Sequence, residues 1–132
     1  MEDLTQMLAK NNLVILIVTI LIVMVVIEIM SYRKNIFKIT AYCGCKICCG
    51  KWSGGPTKTG AKLRFGVCAV DPKVIPLNSI VTIEHLGTFR AEDIGGDIKG
   101  RCIDIYTPVH SDAVGFGVHH LKVKWRKSNE KK

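Results

Sequence analysis

Between Leu13 and Ile27 the chain runs for fifteen residues with Thr19 as the single polar side chain. Glu28 interrupts the run, and Ile29 and Met30 resume it. An α-helix over residues 13–30 rises about 27 Å, close to the hydrocarbon thickness of a bilayer. A core helix of a small soluble domain needs a polar stripe toward water, and this segment has none. Its Ile and Val content disfavours a helix in water, but hydrocarbon leaves the backbone no other way to satisfy its hydrogen bonds. A cleavable signal has a shorter apolar core and a small-x-small exit. The exit here, Glu28-Ile29-Met30-Ser31-Tyr32, has no such site. The segment is expected to be an uncleaved single-pass anchor, with a flank over 1–12 and a short linker over 31–35.

Charge divides along the same line. The formal net charge is +8, yet residues 1–30 set Lys10 against Glu2, Asp3 and Glu28. A strongly basic domain, spanning 36–125 with a basic tail over 126–132, therefore follows a nearly uncharged segment. Its Lys and Arg are scattered, with no aromatic interleaving and no helix-turn-helix or zinc-finger spacing, so nucleic acid is not an expected partner. An anionic envelope polymer or lipid head group suits the same charge. A domain of about 90 residues buries roughly 60–65% of its unfolded surface, so a disulfide or a metal would matter to it.

Within the domain the pattern is of short strands separated by Gly, Pro and Asn. Phe37–Tyr42 alternates apolar and polar residues, the period of a half-buried strand. Phe65–Val70, Ser79–Ile83, Thr88–Ala91, Cys102–Tyr106 and Leu121–Trp125 complete six strands, with a turn at Leu86-Gly87. A short helix is expected over Ser111–Phe116, with Ser111 as N-cap. Six short strands in so small a domain point to an all-β barrel, which removes the sheet edges.

Two clusters carry candidate chemistry. Glu92, Asp93, Asp97 and Asp104 are four of the domain's few acids, and Gly95-Gly96 lies among them. Asp104 stands between Ile103 and Ile105 in a strand, where Asp is disfavoured and something must compensate it. Asp71 before Pro72 also suits a turn. The second cluster is Cys43, Cys45, Cys48 and Cys49. Cys45-x-x-Cys48 is half of a zinc pattern, but the second Cys pair is missing, and His119-His120 lacks ligand spacing. A Cys nucleophile served by His110 or His119 has no local signature. Outside the cell these thiols are expected to form at least one disulfide, so neither a metal nor a cofactor is expected.

The motifs resemble the three-aspartate (3D) domain family. They are Thr40-Ala41-Tyr42-Cys43, Cys48-Cys49-Gly50, Thr57-x-Thr59-Gly60, Ala69-Val70-Asp71-Pro72-Lys73-Val74-Ile75-Pro76-Leu77, Glu92-Asp93-Ile94-Gly95-Gly96, Ile98-Lys99-Gly100 and Ile103-Asp104-Ile105-Tyr106. His110, Ala113 and Phe116-Gly117 close the series. The resemblance implies an all-β, six-stranded double-psi β-barrel. It also implies a peptidoglycan lytic transglycosylase, similar to the catalytic barrel of membrane-bound lytic transglycosylase A and to stationary-phase muralytic proteins. It carries the three aspartates to Asp71, Asp93 and Asp104, with Asp104 as the catalytic acid. Thr57, Thr59, Gly95, Gly96, Lys99 and Tyr106 are its implied substrate contacts. Two places depart from the family. Cys102 precedes Ile103-Asp104 where Arg is common, and Val118-His119-His120 stands where basic residues are usual. Asp97 replaces a small residue and is outside the triad.

The flanks bear on topology. Arg33, Lys34 and Lys38 follow the span and Lys10 alone precedes it, a bias that taken alone keeps the barrel in the cytoplasm. Peptidoglycan strands as partner require the barrel outside, and the substrate argument takes precedence: a cell-membrane protein with an extracytoplasmic C-terminal domain. A glycan-binding module on the same barrel is the alternative to an enzyme, since fold does not decide between them.

Overall fold

A computed structural model describes residues 3–128 and divides the chain into two units, residues 1–34 and 35–132. The first is helix α1, Leu4–Lys34, 31 residues long with no buried residue. It is long and apolar enough to cross a membrane. Residues 4–12 of the expected flank and 31–34 of the expected linker belong to the same helix. At 1.5 Å per residue it spans about 46 Å, well beyond the apolar run itself.

The second unit holds strands β1 Ile36–Tyr42, β2 Val67–Val70, β3 Ile80–Ile83, β4 Gly87–Asp93, β5 Cys102–Tyr106 and β6 His119–Arg126. They close into a barrel in the order β1-β5-β2-β4-β3-β6. Two pairs, β1/β5 and β2/β4, are parallel, and the other four are antiparallel. Exchanging the first three strands with the last three maps this order and these directions onto themselves. That internal twofold is the double-psi arrangement. All six strands fall where the alternation placed them, with ends that shift by at most two residues.

Alternation along each strand divides the side chains between the barrel interior and its outer face. The interior is packed by Phe37, Ile39, Cys68, Val70, Val81, Ile83, Phe89, Ala91, Ile103 and Val123, with Ile75 from the loop after β2. A second, smaller cluster lies elsewhere. Tyr42, Ala69 and Ile98 are its buried members, and Leu63, Cys49, Cys102 and Tyr106 pack against them. Ala69 and Cys102 alternate with the interior residues Val70 and Ile103, so this cluster belongs to the outer face.

Three short helices complete the domain: α2 Lys46–Cys49, a 3-10 turn Gly50–Trp52, and α3 His110–Phe116. Helix α3 starts one residue earlier than expected. Its N-cap is Val109, with no side-chain cap, so Ser111 lies in the first turn and caps nothing. The basic tail expected over 126–132 is β6 at Arg126 and irregular backbone at 127–128, and residues 129–132 lie outside the described residues.

The register of β2 on β4 carries an irregularity that alternation does not show. Cys68 faces Ala91, but Ala69 faces Asp93, so Glu92 is the extra residue of a bulge. Glu92 is buried, and Arg64 closes on it through two bonds, Nη1 to Oε2 at 2.7 Å and Nη2 to Oε1 at 2.9 Å. A bidentate guanidinium is the strongest common partner for such a carboxylate. Arg64→Met should leave this acid buried and unpaired and cost about 1–3 kcal/mol. Denaturant unfolding of the full chain in detergent, followed by circular dichroism, measures it. Equal stability of variant and parent would show that Glu92 needs no cation.

Candidate functional site

The bulge re-aims β4. Without it Glu92 would face Ala69, and with it Asp93 does. Ala69 faces Asp104 on its other side, and Asp104 faces Thr40 across the parallel β1/β5 pair. Thr40, Asp104, Ala69 and Asp93 thus form one row across four neighbouring strands. Residues in register point to the same face of a sheet, here the outer face. Ala69, the smallest member, leaves space between the two acids.

Asp104 is half-buried on this row. Thr40 donates its hydroxyl to Oδ1 at 2.8 Å, and this is the acid's hydrogen-bond partner among the described residues. Burial pushes the Asp104 carboxyl above the ordinary range, against the downward pull of the Thr40 hydroxyl. Desolvation alone raises it.

Asp93 is held differently. Tyr42 donates its hydroxyl to Oδ2 at 2.9 Å, and the amides of Lys58 and Ile94 donate to Oδ1 at 3.1 and 2.9 Å. Three donors fill three of the four lone-pair sites that a carboxylate offers. Tyr42 is buried, and burial raises its hydroxyl pKa, with Asp93 and Asp104 adding to the shift. Tyr42 therefore sits within reach of both acids. Tyr106 packs edge-on against it, with ring centroids 5.7 Å apart.

Asp71 is held by loop amides. It is buried at the end of β2, where Oδ2 accepts the amide of Gly100 at 2.8 Å and Oδ1 that of Lys73 at 3.0 Å. Those two amides, with lesser help from Lys99 and Lys73, hold its pKa below the ordinary value. It pins the loop before β5 to the loop after β2.

The expected substrate contacts separate in the same way. Thr57 is buried, and its hydroxyl accepts the Ala61 amide at 3.1 Å, so it shapes the loop that brings Lys58 to Asp93. Thr59 is exposed, its hydroxyl 3.1 Å from that of Thr57. A Cβ on Gly95 would stand 2.6 Å from Ile98 Cγ1, so packing within the loop by itself requires a glycine there. Gly96 has open space around it, and Lys99 is exposed. Reading residues alone missed Thr40, Tyr42 and Arg64. Period-two alternation does place Thr40 and Tyr42 on one face, but only strand register shows which acids they meet.

None of the expected disulfides is formed: all six cysteines are free. Cys43, Cys45 and Cys48 instead gather around His110, with sulfur to Nδ1 distances of 3.4, 3.4 and 3.6 Å. Cys49 donates its thiol to the Cys43 carbonyl at 3.1 Å. The sequence offered His119-His120 as the pair to complete a zinc site, without ligand spacing. His119 turns its Nε2 to the Phe116 carbonyl at 2.8 Å.

Residues 66–125 match the family described as the 3D domain. This part of the chain is a 3D domain. The match begins just before β2 and ends in β6, so it takes in all three aspartates but neither β1 nor the cysteine cluster. Among curated relatives from Bacillus subtilis (strain 168), the chain is 47% identical over 74 residues to the cell wall-binding protein YocH. It is 43% identical over 74 residues to the putative cell wall shaping protein YabE. It is 38% identical over 91 residues to the SPbeta prophage-derived uncharacterized protein YorM. These alignments take in 53%, 53% and 65% of this chain and 26%, 18% and 38% of the relatives, so the chain spans well under half of each. Solved structures with similar parts include MltA from E. coli, with TM-score 0.45, 21% identity, and 57% of this chain and 28% of that one covered. The lytic transglycosylase LtgG of Burkholderia pseudomallei gives TM-score 0.41 and 26% identity, with 55% and 26% covered.

In the 3D domain Asp71 thus acts on the fold through its charge, and this is testable. Its lowered pKa contributes stability that is full above the ordinary carboxylate value of about 3.9 and is lost as pH falls through the depressed value. Asp71→Asn should unfold more easily than the parent at neutral pH, and the gap should close in acid. Thermal melts across that range measure it. A gap that does not change with pH would assign the effect to hydrogen-bond geometry instead of charge.

Proposed function

We propose that this protein is a membrane-anchored lytic transglycosylase that cleaves the MurNAc–GlcNAc bond of peptidoglycan, with Asp104 as acid and then base. The observation that carries the proposal is the contrast between two acids on one row. Asp104 has a single hydrogen bond and a raised pKa, while Asp93 is held by three donors. A typical glycosidase uses two carboxylates, one of them as base or nucleophile. Here one acid is suited to carry a proton, and the other has donors on both of its oxygens.

Protonated Asp104 gives its proton to the glycosidic oxygen as the bond to C1 breaks. The sugar's own C6 hydroxyl attacks C1, and the Asp104 carboxylate takes the hydroxyl proton. The acid is regenerated, no water enters, and the product carries a 1,6-anhydro ring. Asp93 steadies the positive charge that develops at C1, and Tyr42 keeps it aimed. Asp71 serves the site at a distance, by fixing the loop before β5. Thr59, Gly96, Lys99 and Tyr106 are the glycan contacts of this reading, and Thr57 and Gly95 shape the loops that present them. Helix α1 anchors the chain as a single pass, with the barrel outside, where the wall is.

A second reading has a specific observation behind it: the relative YocH is named a cell wall-binding protein. In that case the same row holds sugar hydroxyls and turns nothing over. A zymogram on purified wall, with mass spectrometry of the released fragments, separates the two. Asp104→Asn should lower turnover by about 100-fold or more and leave co-sedimentation with walls intact. Because that substitution removes a desolvated charge, it should not reduce stability at neutral pH. The fragments should carry 1,6-anhydro ends, and reducing ends would indicate a hydrolase. Wall binding without any turnover by the parent chain would establish the binding module.

The pH profile offers an independent check. The reaction needs Asp104 protonated, so kcat/KM should fall as pH rises through its raised pKa. Thr40→Val removes the hydrogen bond that favours the anion, so the falling limb should move to higher pH. A limb that moves down, or stays in place while turnover persists, would take the acid role away from Asp104.

A further inference from the structure

The thiol cluster lies outside everything the proposed reaction uses. Its four residues come from three places: Cys43 directly after β1, Cys45 and Cys48 in and before α2, and His110 at the start of α3. Sγ of Cys43 is 2.9 Å from Sγ of Cys45 and 3.5 Å from Sγ of Cys48. His110 Nδ1 is 3.4, 3.4 and 3.6 Å from the three sulfurs. All four atoms lie within 4.8 Å of one another.

Hydrogen bonding does not account for this convergence. An imidazole nitrogen offers one N–H or one lone pair, so Nδ1 can serve one thiol and not three. Thiols are weak donors and weak acceptors, and Cys43 is buried, so the arrangement has little to gain from its own hydrogen bonds. Four soft donors aimed at one point are the ligand set of a tetrahedral zinc ion. With Zn–S near 2.3 Å and Zn–N near 2.0–2.1 Å, a regular tetrahedron has S–N edges of about 3.5 Å and S–S edges of about 3.8 Å. The three S–N distances already match. The Cys43–Cys45 edge would open by roughly 0.9 Å, within reach of side-chain rotation at Cys45.

We propose that Cys43, Cys45, Cys48 and His110 bind one zinc ion in a closed structural site. Cys45-x-x-Cys48 supplies the local chelate, and Cys43 and His110 replace the second Cys pair that the linear pattern lacks. Cys49 stays outside, since its thiol donates to the Cys43 carbonyl. With all four positions filled by protein, the ion has no open place for substrate or water, so its work is on the fold. It ties α2 and α3 to the end of β1, the strand that presents Thr40 and Tyr42 to the two acids.

The full chain, purified in detergent with reductant, should hold one zinc per chain by elemental mass spectrometry. Cobalt(II) should replace it at one equivalent and show the visible absorption of a tetrahedral thiolate site. Cys45→Ser and His110→Ala should weaken retention against a competing chelator by about tenfold or more, while Cys49→Ser retains the ion. Should a ligand variant not fold, cobalt titration of the unsubstituted chain still decides. A folded chain that takes up neither metal would overturn the site. So would a disulfide among Cys43, Cys45 and Cys48 in non-reduced peptide maps of protein from its native membrane. Loss of metal in Cys49→Ser with retention in His110→Ala would replace this ligand set with four cysteines. None of these outcomes depends on whether the barrel turns over glycan.

Discussion

The register of β5 between β1 and β2, together with the bulge at Glu92, is the constraint from which the site follows. Register decides that Asp104 meets Thr40 on one side and Ala69 on the other. The bulge decides that Ala69 then meets Asp93 and not Glu92. A slip of one residue in either pairing would turn an acid from the outer face into the barrel interior. There it would displace Ile103 or Ala91, both fully buried. The hydrophobic interior therefore enforces the face the acids occupy, because a one-residue slip turns the aliphatic row outward. The bulge in turn depends on Arg64, since the extra residue it introduces is itself a buried carboxylate.

The four acids near this face divide by what surrounds them. Glu92 is neutralised by a guanidinium and Asp71 by two loop amides, so each serves the fold. Asp93 is surrounded by donors but remains on the outer row beside Asp104. Only Asp104 combines burial with a single donor, and that combination raises a carboxyl pKa. Residue type does not separate these roles, and neither does position in a motif. The number and kind of donors does.

The strands were legible because their alternation is strong: Phe37, Ile39 and the flanks of Asp104 report the period of two directly. The barrel was legible from the count of strands and the size of the domain. Asp104 itself announced a compensating partner, being an acid between two isoleucines, but not that Thr40 would be it. That pairing joins residues 64 apart in sequence. Asp71 and Asp93 were read as one set with Asp104 through family resemblance, and their partners differ: Asp71 accepts two loop amides, Asp93 two amides and the Tyr42 hydroxyl, and Asp104 the Thr40 hydroxyl. Gly95-Gly96 suggested close approach of a ligand, yet Gly95 is needed for contact with Ile98. The start of α3 was misread because Ser111 is a good cap in isolation, while the chain enters the helix at His110.

His110 also shows what a reading of the cysteines by density leaves out. Density alone favoured disulfides, because neighbouring thiols beside a membrane span are usually read against an oxidising space. The missing ligand lay 62 residues beyond Cys48, where no linear spacing rule reaches it. Folding brings it back because β1 and β5 are parallel neighbours, so the loops leaving their C-terminal ends emerge side by side. The cysteines follow β1, and His110 follows β5 by a few residues. The same pairing that sets Thr40 against Asp104 thus sets Cys43 beside His110. One strand pair builds the acid's environment along its length and the metal-binding geometry at its end, so strengthening the end restrains the register on which the acid depends.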